Sequence, residues 1–259
     1  MIEIVGPALG VSLIIALTHA PLGIEVLRRG IIFIDLAIAQ IAGLGVVAAS
    51  FYFEEPAWWM VQGAALLFAL LAAFFFRLIE RRLPQHQEAI IGCSFVLAAS
   101  VALLLLSDKP HGGEEIEHLL SGQILFVTWR EVLIHGPIYG AILFLWFGWP
   151  KVIRESTWFY VLFSVAITSS VQLVGVYVVF ASLILPALAA ASARRQHLMA
   201  WGCGITAVVS GVLAAVILDA PAGPVIVLAY ALVTIGLVSF KVLGTRRVRR
   251  PSSLDGECP

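Results

Sequence analysis

In "LRRGIIFIDLAIAQIAG", residues 27 to 43, Asp35 is the only acid, and apart from Arg28, Arg29 and Gln40 its neighbours are apolar residues or glycine. A carboxylate in hydrocarbon costs a few kcal/mol even on lenient insertion scales, so a chain that keeps one there has a use for it. Two readings are open. Asp35 meets a cation on a path through the membrane, or it serves a helix end near Arg28 and Arg29. His19, late in the first apolar stretch and just before "APLG", is either a ligand or a histidine hydrogen-bonded to a neighbouring helix. Carboxylate and imidazole together suit divalent ions of hard to borderline character.

Other polar groups read more simply. Glu25 lies three residues before Arg28, the spacing of an ion pair on one helix face. Gln172 is expected to bond backbone freed by a helix break, and Pro186, in "ASLILPALAAASARR", to kink its span. The outer "HGGEEIEH" segment, with His111, Glu114, Glu115, Glu117 and His118, reads as a cation-collecting mouth, an acidic solvated loop or a docking surface. There is no G-x-x-x-x-G-K-[ST], no H-E-x-x-H and no G-x-S-G, so nucleotide binding through a P-loop and membrane proteolysis are not expected. Few polar groups in an apolar chain suit a conduit better than an enzyme, and no cofactor is expected.

The elements that must position these groups follow from composition. Of 259 residues, 61% are apolar and 12% charged, with a mean hydropathy of +1.00. A soluble domain carries about 25% charged residues, so this chain is an integral membrane protein. At about 20 residues per span it has room for about eight to ten helices and no sizeable soluble domain. The expected fold is all-α: one polytopic helical bundle over residues 1–259 with 8–9 transmembrane helices. Apolar stretches run at roughly 4–27, 31–53, 57–76, 89–107, 132–149, 158–171, 173–191, 199–218 and 221–240. The sixth and seventh are short and nearly continuous, as one span plus a broken or re-entrant helix would be, so the count is eight or nine.

Charge placement orients the bundle. Arg28 and Arg29 follow the first stretch, and Arg77, Arg81 and Arg82 the third. Lys151 and Arg154 follow the fifth, and Arg194 and Arg195 the seventh. A basic tail over 241–259 carries Lys241, Arg246, Arg247, Arg249 and Arg250. Threading nine stretches alternately puts all of these on one face and leaves only Lys109 and Arg130 on the other. That face is cytoplasmic, with the N-terminus outside and the C-terminus inside. No signal peptide is expected, because no basic segment precedes the first apolar stretch. With 16 basic and 16 acidic residues, nucleic acid is not an expected partner. Cys93 and Cys203, in apolar stretches, are expected to be buried, and Cys258 completes a set without metal or disulfide spacing. "GPALG" (Gly6, Gly10) and "GPIYG" (Gly136, Gly140) have the spacing that permits close helix approach.

Five stretches in order carry a resemblance: "APLGIEVLRRGIIFIDLAIAQIAGLGVVAA" (20–49), "EAIIGCSFVLAASVALLLLS" (88–107), "HLLSGQILFVTWREVL" (118–133), "VQLVGVYVVFASLILPALAAASA" (171–193) and "APAGPVIVLAYAL" (220–232). Together they resemble the metal-ion permease family of ATP-binding-cassette importers, which move zinc, manganese or iron. The resemblance implies a homodimeric permease of the bacterial cytoplasmic (inner) membrane. Its implied partners are a separate ATP-binding subunit and an extracytoplasmic metal-binding solute-binding protein. It also implies an ATPase-docking segment, best matched around Arg194 to His197. The family's second span commonly pairs an Asp with a His four residues on. Asp35 matches the acid, but position 39 is Ala, and Gln40 takes the His place only with an inserted residue. The candidate metal residues are therefore Asp35, His19 and Gln40. His19 and Asp35 lie about 13 and 9 Å from one cytoplasmic turn on antiparallel spans, so His19 is expected to supply the imidazole missing at 39. The small residues Ala37, Ala39, Ala42 and Gly43 are expected to let two copies approach. An importer permease for a metal chelate (siderophore or cobalamin) and a non-catalytic structural membrane subunit are the competing readings.

Overall fold

The structure, a computed structural model, describes residues 2–53, 56–106, 122 and 124–248. The acidic outer segment with His111, Glu114, Glu115, Glu117 and His118 lies outside the described residues, as do Glu54, Glu55 and Cys258. The helices are α1 (Ile2–Arg29), α2 (Ile34–Tyr52), α3 (Trp58–Arg82), α4 (Gln87–Leu106) and α5 (Trp129–Gly148). They continue as α6 (Pro150–Glu155), α7 (Trp158–Ala190), α8 (Gln196–Leu218) and α9 (Ala222–Val248). Short 3-10 turns cover Pro84–His86 and Ile124–Phe126, and no strand occurs among the described residues. Eight helices are long and apolar enough to span a membrane, α6 being the exception. The all-α polytopic bundle expected from composition is the fold observed.

Local chemistry sets several ends. At the end of α1, Gly30 takes φ 70°, its N–H bonds the Leu27 carbonyl at 3.2 Å, and the Ile31 N–H bonds the Val26 carbonyl at 3.3 Å. That is a Schellman closure, which needs a residue free to turn left-handed. Arg28 and Arg29 fall in the last turn, where cations oppose the helix dipole. α5 opens with a reciprocal cap: the Thr128 N–H donates to Glu131 at 2.7 Å, and Thr128 Oγ1 accepts from the Glu131 N–H at 3.4 Å.

α7 is two helices. Gly175 has φ 79° and ψ 163°, a conformation open in practice only to glycine, and the helix breaks there. Both arms pack on α1. Along the first arm, Phe159 lies under Arg29 and Ser170 bonds His19. Along the second, Ser182 bonds His19, and Leu183 and Ala187 lie against Gly23. The first arm thus runs antiparallel to α1 and the second parallel to it. In one continuous helix Ser170 and Ser182 would stand about 18 Å apart. Sharing one imidazole, they fix α7 as a hairpin folded back at Gly175. This realises the expected re-entrant helix and reconciles eight long helices with nine apolar stretches. The break falls at Gly175, three residues past Gln172, whose side chain is exposed. Pro186 lies inside the second arm, where the backbone stays helical.

The hairpin keeps the expected cations together. Arg29 pairs with Glu25 at 3.0 Å and with Glu80 of α3 at 2.9 Å, donates to the Arg154 carbonyl, and lies over the Phe159 ring. Arg28 also pairs with Glu25, at 2.7 Å, as the spacing predicted, and Arg77 pairs with Glu80. The ends of the first, third and fifth spans therefore meet at one face. Arg29 and Glu25 are largely buried, and such charges persist only when paired.

Packing corrects three expectations drawn from composition. Cys203 is buried, but Cys93 is exposed on α4. Ala37, Ala39 and Ala42 are buried within the chain's own core and cannot meet a second copy, whereas Gly43 faces an open cavity. Gly6 and Gly10 seat the Trp129 indole of α5, while Gly136 and Gly140 face nothing within 4 Å. One cause underlies all three: helices in lipid are apolar on every side, so residue type alone does not reveal which face packs inward.

Candidate functional site

Asp35 sits in the first turn of α2, two residues after the N-cap Phe33, and is 1% exposed. Neither carboxylate oxygen closes a hydrogen bond among the described residues, although both lie near the Asp35 and Leu36 amides of their own turn. Arg28 and Arg29 are committed to Glu25 and Glu80, and no guanidinium among the described residues pairs with Asp35. The neighbouring charge that acts on it is a second acid, Glu88, in the first turn of α4. Glu88 Oε1 accepts from the Phe33 N–H at 3.2 Å, and its Oε2 is buried without a partner. The first amides of α2 have no intrahelical carbonyls, and this positive helix end collects both acids. Three buried carboxylate oxygens there close no hydrogen bond among the described residues. Sequence reasoning missed Glu88. Its only signal was an acid opening an apolar run, as Asp35 does in α2.

Beyond this acidic end lies a cavity of about 850 Å³ between α2, α4, the second arm of α7 and α9. On α2 it is lined by Leu36, Gln40, Gly43 and Val47, a stripe spaced four, three and four residues apart. Phe95, Ala99 and Ala102 line it from α4, on the face that carries Glu88 about two to four turns earlier. Phe180 lines it from the hairpin and stacks on Phe33, with centroids 6.4 Å apart and planes 6° off parallel. The lining is apolar except for Gln40 and Tyr177. Asp35 and Gln40, five residues apart, point about 140° from one another around the helix, which puts the acid in the core and the amide on the cavity.

His19 lies elsewhere, fully buried between the arms of α7. Its Nδ1 is 2.7 Å from Ser182 Oγ and its Nε2 is 3.0 Å from Ser170 Oγ. Ser170 also meets the Tyr139 hydroxyl at 2.8 Å, and the adjacent Ser169 meets His135 Nδ1 at 2.7 Å. Both ring nitrogens of His19 are thus engaged by serines and none of its hydrogen bonds reaches Asp35. Among the described residues no three His, Cys, Asp or Glu side chains converge as a metal-binding group. Arg194 and Arg195 are exposed on the turn between α7 and α8.

An all-helical, multi-pass bundle with cations gathered at one face and an open cavity between its helices is a polytopic membrane protein. The particular family follows from the sequence: the ABC 3 transport family signature matches residues 1–153 and 147–241, and the chain belongs to that family. It is the membrane-embedded permease class of ATP-binding-cassette transporters, as the five ordered stretches implied. Two solved structures share the fold. One is PsaBC from Streptococcus pneumoniae in complex with Fab, at 22% identity over 90% of this chain and 90% of that chain, with TM-score 0.72. The other is an ABC transporter assigned to the metal-chelate type, in an inward-facing conformation, at 17% identity over 94% of this chain and 85% of that chain, with TM-score 0.67. No functionally curated sequence matches the chain significantly.

Proposed function

We propose that this protein is the permease of an importer that carries a divalent transition-metal ion (zinc, manganese or iron) across the bacterial cytoplasmic membrane. A separate ATPase would bind the cytoplasmic face, and a solute-binding protein would deliver the ion outside. The observation that carries this reading is Asp35, a buried carboxylate that closes no hydrogen bond among the described residues, near Glu88 at the start of α2, the helix whose opposite face lines the cavity. An isolated buried charge is costly, and a passing cation offsets that cost. Gln40 would line the path as a neutral oxygen ligand, and two copies would join along the cavity face. Purification with the co-assembled ATPase, followed by ATP hydrolysis measured against each ion, tests the reading. Stimulation by one divalent ion is expected.

A second reading, import of a metal chelate, is favoured by the cavity itself. A space of about 850 Å³ with only Gln40 and Tyr177 as polar lining suits an organic ligand shell better than a bare ion. Stimulation by a ferric chelate, with none by free ions, would establish it in place of the first.

A further inference from the structure

His19 has a role in the fold that its residue type does not announce. The second arm of α7 supplies one wall of the cavity, through Val176, Tyr177, Phe180, Ala181 and Leu185. That arm joins the first through a single glycine, which sets no angle by itself. At the vertex, Gly122 (φ 67°) is pressed so close that a Cβ there would overlap the Val174 carbonyl and the Gly175 nitrogen. Lower down, His19 bonds both arms at once.

Proton counting makes the two bonds unequal. A neutral imidazole donates to one serine and accepts from the other. Each serine hydroxyl also reaches a carbonyl of its own arm, Ser170 to Ala166 at 2.7 Å and Ser182 to Val179 at 2.9 Å. One serine therefore has one proton and two acceptors within reach, and it can turn that proton back to its own arm without being orphaned. Ser170 is held further by Tyr139, whereas Ser182 has no other side-chain partner among the described hydrogen bonds.

We propose that His19 is a positioning residue for transport: it clasps the α7 hairpin through Ser170 and Ser182, and opening of the Ser182 bond frees the cavity-lining arm to move. The proposal rests on the transport reading only for the consequence of that motion.

The test is hydrogen–deuterium exchange, read by mass spectrometry, on the full permease–ATPase complex in lipid nanodiscs. In wild type, residues 176–190 exchange slowly. His19→Ala and Ser182→Ala each raise exchange over 176–190 several-fold and leave 158–169 and α8 unchanged. Ser182→Ala removes a single oxygen, so it remains informative if His19→Ala fails to fold. His19→Asn, which keeps a polar atom where Nδ1 reaches Ser182, stays close to wild type. ATP hydrolysed per solute taken up rises at least about threefold in His19→Ala, whereas a merely structural loss lowers both in parallel. Unchanged exchange over 176–190 in both alanine variants overturns the clasp, as does a His19→Asn complex as loose as His19→Ala. The exchange readout does not depend on which solute moves. A wild-type complex that no metal stimulates refutes metal transport and leaves the clasp standing.

Discussion

Asp35 and Glu88 behave as a pair because they share one helix end. A helix N-terminus holds acids by its free amides, and on the transport reading proposed above the two carboxylates there would attract a cation. Replacing Asp35 by Asn keeps the shape and removes the charge. We expect ion-stimulated ATP hydrolysis to fall about tenfold or more, in line with the loss of a charged contact of about 1.5–3 kcal/mol. Glu88→Gln keeps an acceptor for the Phe33 N–H and should give a smaller loss of the same kind. Equal activity of Asp35→Asn and wild type in reconstituted vesicles would remove Asp35 from the path.

The hairpin of α7 is where element geometry departs most from local preference. Gly175 and Gly122 both have backbone or contact constraints that exclude a side chain, and both lie at the vertex. Gly175→Ala should destabilise the protein by about 1–3 kcal/mol, visible as a lower melting temperature in detergent. Gly122→Ala should destabilise it by clash with the Val174 carbonyl. Gly136→Ala provides the contrast, since a Cβ there meets nothing and a mid-helix Gly→Ala change gains about 0.5–1 kcal/mol. A Gly175→Ala melting temperature equal to that of Gly136→Ala would mean that the break tolerates a side chain after all.

At the scale of the whole molecule, the cations of the first and third spans meet in the Glu25–Arg29–Glu80–Arg77 network, which reaches the Arg154 carbonyl after the fifth span, and the turn bearing Arg194 and Arg195 is exposed. If that turn engages the ATPase, replacing both arginines by Glu should uncouple ATP hydrolysis from uptake while membrane insertion stays intact. Unchanged uptake would move the docking surface elsewhere. The cavity between α2, α4, the second arm of α7 and α9 is where a second copy is expected to join. Native mass spectrometry of the complex should therefore return two permease chains with two ATPase chains. A stable assembly with one permease chain would refute the dimer.

Much of this architecture was legible in the sequence. Apolar runs fix helices in a membrane because every backbone polar group must be satisfied within its own segment. Arginines and lysines mark span ends because crossing hydrocarbon is costly for them. An acid stranded among apolar residues marks itself for the same reason. Contacts are another matter. His19 was expected near Asp35 from its depth, yet its hydrogen bonds go to two serines twelve residues apart in sequence, which meet only because α7 doubles back. Glu88 comes beside Asp35 only because α4 packs on α2. Depth follows from counting residues along each helix. Which side chains meet at a given depth depends on the rotation and crossing of helices that are apolar on every face, and only the tertiary structure decides that.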